Sequence, residues 1–210
     1  MARLTIISLG LIAASYGIVN AEPTTLNLIP TTDTLRAGIG IIGYYNAIVW
    51  PADGSVTVNL LETEYGIGGR FEFGADLTLS GDRETLLNFK YRIFDESGHT
   101  PAVAVGIQNA GTNLSSQPYV ATCKTFPAAR LHFGIIDTYG TARAMFGAEK
   151  FYGKLFVLQT DYISGSGNWF TLGFVAGGMT GWSVNFAGLV GNSDTSGNGY
   201  LLNVQWGATL

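Results

Sequence analysis

Residues 70–94 read RFEFGADLTLSGDRETLLNFKYRIF, and their side chains fall into two phases. Phe71, Phe73, Ala75, Leu77 and Leu79 occupy one phase, and Arg70, Glu72, Gly74, Asp76, Thr78 and Ser80 the other. A period of two is that of a strand with one apolar and one polar face. Gly81, Asp82, Arg83 and Glu84 form a tight polar turn, after which Leu87, Phe89, Tyr91 and Ile93 alternate with Asn88, Lys90 and Arg92. The stretch therefore predicts an antiparallel hairpin. Its polar face sets Glu72 and Asp76 against Lys90 and Arg92, so opposite charges meet across the pair.

The same period extends in both directions. Upstream, Thr34 to Tyr45 alternates Leu35, Ala37, Ile39, Ile41, Gly43 and Tyr45 with Arg36, Gly38, Gly40, Ile42 and Tyr44, the latter taken as the inner, polar phase. Gly38, Gly40 and Gly43 have the spacing of a dinucleotide-binding fingerprint, but they lie inside a strand pattern with no helix after it, which rejects that reading. Ser55 to Tyr65 changes phase between Leu60 and Leu61, the mark of a bulge, leaving Glu62 and Glu64 on the polar side. Downstream, further strands are predicted from Val103 to Gln108, Pro118 to Thr125, Ala129 to Asp137, Ala142 to Lys150, Lys154 to Ile163, Trp169 to Gly177, Trp182 to Gly191 and Gly199 to Ala208. No stretch after the first 21 residues has a 3.6-residue period. The total is about twelve strands, and an even number brings both chain ends to one side.

Composition narrows the class. Hydrophobic residues make up 47% of the chain and charged ones only 12%, against roughly 25% charged in ordinary soluble domains. A net charge of −4 without a basic cluster excludes a nucleic-acid partner. Arg3, the apolar run Leu4 to Ile18 and the small-residue site ending at Ala21 read as a signal peptide over residues 1–21. Residues 22–33 follow as an extended lead-in, and residues 34–210 as the barrel domain. The single Cys123 excludes an intrachain disulfide.

Two architectures accommodate alternating strands, and they differ in which face meets water. A soluble sandwich or small barrel would present a face dense in Lys, Glu and Asp to solvent. Here the polar phase is mostly Gly, Asn, Thr, Gln and Ser with scattered charges, which suits a confined aqueous lumen. The apolar phase is too bulky to pack inside a small barrel and fits its lipid-facing outside. Tyr44, Tyr45, Trp50, Tyr65, Trp169, Trp182, Tyr200 and Trp206 lie near strand ends, where interfacial girdles occur. Strands in lipid can leave no edge unpaired. The fold expected is all-β: a closed antiparallel up-and-down transmembrane β-barrel of about twelve strands. The alternative is a secreted soluble β-sandwich or barrel that binds a ligand or carbohydrate.

The run SVTVNLLETEYGIGGRFEFGADLTLSG, followed by LLNFKYRIFDESGHTPAVAVGIQN and preceded by PTTDTLRAG, resembles the YjbH-like bacterial outer-membrane proteins associated with exopolysaccharide loci. The similar part covers about half of the chain after the signal segment. This resemblance implies a cell outer-membrane barrel linked to polysaccharide export or the envelope, with no catalytic residue to carry over. The chain departs from the long members of that family in being a single small barrel.

Candidate lumen-lining residues are Arg36, Glu62, Glu64, Glu72, Asp76, Lys90, Arg92, Arg130, His132, Arg143, Glu149 and Asp161. They read either as a track that selects solutes or as buried ion pairs that fill a narrow barrel. Their mixed signs predict little net field and no strong ion selectivity. His99 and His132 sit on different elements without companion ligands, so no metal or other cofactor is expected. No nucleophile is paired with a base, so no catalytic residue is assigned and no enzymatic activity is expected. The expected partners are outer-membrane lipids, the barrel-assembly machinery during biogenesis, and a small solute or glycan.

Overall fold

A computed structural model describes residues 25–81, 83–110, 116–177 and 181–210. Residues 1–21, read above as a signal peptide, and most of the 109–117 loop lie outside the described residues. Twelve strands run antiparallel in chain order: β1 (Ile39–Trp50), β2 (Val56–Ile67), β3 (Phe71–Thr78), β4 (Thr85–Phe94), β5 (Ala102–Ala110), β6 (Gln117–Thr125), β7 (Arg130–Thr138), β8 (Thr141–Tyr152), β9 (Phe156–Ile163), β10 (Trp169–Gly177), β11 (Trp182–Gly191) and β12 (Asn198–Thr209). Each pairs with its sequence neighbours, and β12 pairs with β1 to close the barrel. The closing ladder runs unbroken from Ile39 opposite Thr209 to Trp50 opposite Asn198. Strand β1 begins and β12 finishes at the same end of the barrel, where the Leu210 amide donates to the Gly38 carbonyl at 2.8 Å.

Directly opposed residues of an antiparallel pair share a face, so register fixes what looks in and what looks out. Glu72 opposes Lys90 while Phe73 opposes Phe89, as the hairpin pattern predicts. Phe73 and Phe89 meet on the outside with ring centroids 5.3 Å apart. Farther round the exterior, Trp50, Tyr200, Phe186, Phe174, Phe156 and Tyr152 form a continuous diagonal ribbon of ring contacts. Ile135, Leu172 and Val190 are each more than half exposed on the same outer surface. Trp182 opposes Trp206 at the end where β12 finishes, and Trp50 marks the other end.

Four expectations about individual strands need correction. Strand β1 starts at Ile39 rather than Thr34, because Gly38 adopts φ +78° and turns the chain. Its facing is also opposite to the expected one: Ile41 opposes Glu64 and Gly43 opposes Glu62, so Ile41, Gly43 and Tyr45 look inward while Ile42 and Tyr44 look outward. The bulge expected in β2 is absent, since β2 stays in unbroken register with both neighbours and Leu60 simply faces the lumen. The register shifts occur instead between β4 and β5. Finally, Tyr45 and Trp169 are not girdle residues; both pack inside, and the Trp169 indole donates to the Gly197 carbonyl at 3.1 Å.

The described part of the expected extended lead-in, residues 25–33, is instead a compact insert inside the barrel. Residues 25–30 form a tight turn, with a bridge between Thr25 and Pro30 and the Leu26 amide donating to the Ile29 carbonyl at 3.0 Å. Leu26 and Ile29 are buried against Tyr119, Ala121, Ile136, Met145 and Ile163, and Leu28 packs both on this cluster and on that of Ala47, Ala187, Leu189 and Leu201. A wall of twelve strands is too wide for its own side chains to fill, and this segment supplies apolar volume that the strands lack. The wall is thinned to receive it. A side chain at Gly147 would collide with Leu26 and come within 2.8 Å of Ile29 Cδ1, and one at Gly66 would strike the backbone oxygens of Leu35 and Arg36.

Outside the barrel wall, the Glu96 carboxylate in the β4–β5 turn accepts from the Thr125 amide and hydroxyl, each at 2.8 Å, and pairs with Lys124 at 3.1 Å. The Thr125 amide is the chief reason that this carboxyl is pushed down to about 2, with burial opposing it and the Thr125 hydroxyl and Lys124 adding to the effect. The tie holds above the ordinary carboxylate range and is lost only as pH falls through that lowered value.

Gly147→Val tests the seat of the inserted segment. Overpacking of this kind costs about 1–3 kcal/mol. The expected outcome is a lower thermal unfolding midpoint together with protease cleavage near residues 25–30 in a barrel that still closes.

Candidate functional site

The inserted segment divides the lumen, and its polar atoms show how. Asp161 on β9 accepts the amides of Leu28 and Ile29 on one carboxylate oxygen, at 2.8 and 3.2 Å, and the Thr171 hydroxyl on the other at 2.5 Å. Asn27 donates to Thr171 Oγ1 and accepts from Gln159 Nε2, both at 2.7 Å. Farther along, Arg130 on β7 clasps Asp33 with two parallel bonds of 2.5 and 2.6 Å, the fork geometry that guanidinium and carboxylate share. Arg130 also donates to Glu149 at 3.1 Å and to the Cys123 thiol at 2.9 Å, and His132 Nε2 lies 3.0 Å from the same Glu149 oxygen.

From Asp33 the chain crosses to the opposite wall. Lys90 Nζ donates to the Asp33 carbonyl at 3.0 Å, the Leu35 amide donates to Glu72 Oε2 at 2.9 Å, and the Thr34 hydroxyl donates to the Gly69 carbonyl at 2.9 Å. Glu72 and Lys90 are each 5% exposed and 3.4 Å apart. They anchor the strap of residues 33–35 at the edge of the open lumen, so replacing either would loosen it.

The part of the lumen beside β1–β5 and β12 is not filled. A cavity of 530 Å³ extends from Glu72 and Lys90 toward Thr57, Thr78 and Ser80 near the opposite rim, with Asn27 and Leu28 of the inserted segment as its inner wall. Its charged lining among the described residues consists of Glu62, Glu64, Glu72, Asp76 and the single cation Lys90. Charges of opposite sign are thus not mixed evenly through the lumen, contrary to the expectation of little net field. The basic side chains are drawn elsewhere: Arg130 to Asp33, and Arg92 to Asp95 at 3.0 Å and to the Gly69 carbonyl at 2.9 Å.

The remaining candidates fall in three places. His132, Glu149 and Asp161 are buried on the wall behind the inserted segment. Arg143 is half-buried, its guanidinium pressed under Gly165. Arg36 is exposed in the segment before β1 and is not among the residues that line the cavity. Sequence reasoning missed Asn27, Asp33, Asn88, Gln159, Thr171 and Asn203, all of which hold the segment or the cavity wall. Neutral amides on the polar phase carry no charge signal, and the one clue was the surplus of glycine at inward positions. Among the described residues, no group of three or more His, Cys, Asp or Glu side chains is placed to hold a metal ion.

Among solved structures the chain is similar to one described as a KdgM porin, with a TM-score of 0.59 and 10% sequence identity over 79% of this chain and 98% of that one. At that identity the likeness concerns the fold, a twelve-strand closed barrel. No family model matches the chain, and no curated protein matches it. The resemblance to YjbH-like proteins, with its exopolysaccharide association, therefore gains no support.

Asp161→Ala tests the anchor. Each buried donor left without an acceptor costs about 1–3 kcal/mol. Amide exchange at Leu28 and Ile29 is expected to speed up by about one order of magnitude or more while β11 and β12 stay protected.

Proposed function

We propose that the chain is a porin-like barrel of the bacterial outer membrane that takes a small solute into an interior chamber and whose lumen is partly blocked by its own N-terminal segment. The carrying observation is the sorting of side chains across a closed ladder: apolar and aromatic residues cover the outside while Glu62, Glu72, Asp76, Lys90, Glu149 and Asp161 are held inside. A polar solvent would favour the reverse arrangement, and lipid tolerates only a sheet without edges. The shared fold with a porin supports the reading. The work proposed is passage or binding, not catalysis, with outer-membrane lipids and the barrel-assembly machinery as partners. The rival, a soluble ligand-binding barrel, would have to expose Phe94, Ile135, Leu172 and Trp182 to water.

Two measurements test this. Phe73→Lys places a charge on the lipid face at a cost of about 2–4 kcal/mol near the midplane; the folded, heat-modifiable band on gels should fall sharply. In planar bilayers, deletion of residues 25–35 should raise single-channel conductance severalfold over the intact chain. Equal conductance would mean that the segment does not obstruct the lumen, and recovery of the native protein in a detergent-free soluble fraction would sink the membrane reading.

A further inference from the structure

The cavity carries a chemical preference that the porin-like reading does not specify. Glu62 and Asp76 oppose each other directly on β2 and β3, both facing the cavity. Glu62 accepts from Asn203 Nδ2 at 2.8 Å, and Asp76 accepts from Asn88 Nδ2 at 2.6 Å. Neutral amides thus hold both carboxylates, and among the described residues no Lys, Arg or His is paired with either. Two facing carboxylates with only dipoles for company attract a cation.

A second observation comes from Asn203 itself. The residue is 9% exposed and lines the cavity, and its Oδ1 has no donor. The bond from Nδ2 to Glu62 fixes which way the amide points, since the reverse orientation would set two acceptors against each other. Gly43 borders this corner, and a side chain there would crowd it, coming within 3.0 Å of Gln205 Cγ, 3.2 Å of Glu62 Oε2 and 3.4 Å of Asn203 Oδ1. A buried acceptor without a donor is costly, and here it stands beside two carboxylates. The unmet demand is for positive charge and for N–H groups together. The volume of 530 Å³ lies in the range of small-molecule sites, and Tyr45, Leu60 and Leu86 supply an apolar lining for a short carbon chain.

We propose that this chamber binds a small organic cation bearing N–H donors, a primary ammonium or guanidinium, seated on the carboxylates of Glu62 and Asp76 and on Asn203 Oδ1. The proposal deepens the porin-like reading and rests on it for the solute's route of entry. A bare alkali ion would satisfy the charge without needing a chamber of this size. A quaternary ammonium would supply charge but leave Asn203 Oδ1 without a donor.

The test is calorimetric titration of the full chain in detergent micelles with 1,4-diaminobutane, tetramethylammonium and glucose at constant ionic strength. The expected result is binding of the diamine, at least about tenfold weaker binding of the other two, and a loss of about tenfold or more in the Glu62→Gln, Asp76→Asn double variant. Both changes keep shape and remove only charge, and heat-modifiable mobility of the same samples shows whether the variant closes its barrel. Glucose binding as tight as the diamine, no diamine binding by the folded protein, or unchanged affinity in the folded double variant overturns the cation site while leaving the porin-like reading intact. If the protein instead proves soluble without detergent, the porin-like reading falls, and the same titration run without micelles still decides the site.

Discussion

The ladder between the first strand and the last is the constraint on which the rest of the molecule depends. With Ile39–Trp50 paired along its length to Asn198–Thr209, the sheet has no edge, and its interior strands' backbone groups find partners within the wall. Backbone pairing then no longer distinguishes inside from outside, and side chains alone decide what each surface meets. Twelve strands also set the bore. Eight would leave an interior that side chains just fill, whereas this wall encloses more volume than its inward residues occupy. Part of the excess is taken up by residues 25–35 and part remains as the acidic chamber. Closure, partial filling and the leftover cavity are consequences of one another.

Bringing an irregular segment into the barrel creates a second demand, because its amides must be satisfied there. The wall meets it with carboxylates. Asp161 takes two consecutive amides, Glu72 takes a third, and Arg130 fixes the only carboxylate that the segment brings, Asp33. The acidic residues of the wall thus have two kinds of neighbour. Those facing the segment are matched by backbone donors or cations, whereas Glu62 and Asp76, which face the empty side, are matched by neutral amides. The electrical asymmetry of the lumen follows from the position of the insert rather than from an excess of acidic residues in the sequence.

How far the sequence could be read varied with how local the deciding contacts are. The hairpin of β3 and β4 was legible because its apolar and polar phases differ sharply, and β10 and β11 were bounded correctly by their turn residues. Strand β1 was not, because IGIIGYY carries large apolar side chains on both phases; only the register opposite Glu62 and Glu64 gives the pattern a sign. Trp169 looked like a girdle residue because aromatics near strand ends serve either face, and its indole partner comes from a different turn. The insert was out of reach for the same reason. Asp33 meets Arg130 across nearly a hundred residues of chain, and nothing in TLNLIPTTDTL announces burial. The trace it leaves is indirect: glycine at Gly66 and Gly147, where a strand would otherwise present a side chain.

The two ends of the insert are held by different forces, and that difference bears on how the lumen could open. Leu26 and Ile29 are about 1% exposed among apolar neighbours, and withdrawing them into water would cost about 1.5–3 kcal/mol each. Asp33 is held by hydrogen bonds and by the charges of Arg130 and Lys90, whereas Leu35, bonded through its amide to Glu72, is also buried at 3% exposure. Water entering a lumen can replace many of those contacts, so their net cost of exchange is smaller than their number implies. The strap can therefore yield at Asp33 while the turn at residues 25–30 and the buried Leu35 side chain stay seated. Such a partial release would extend the acidic chamber toward the end where β1 begins and β12 finishes without exposing the apolar cluster or breaking any strand pairing.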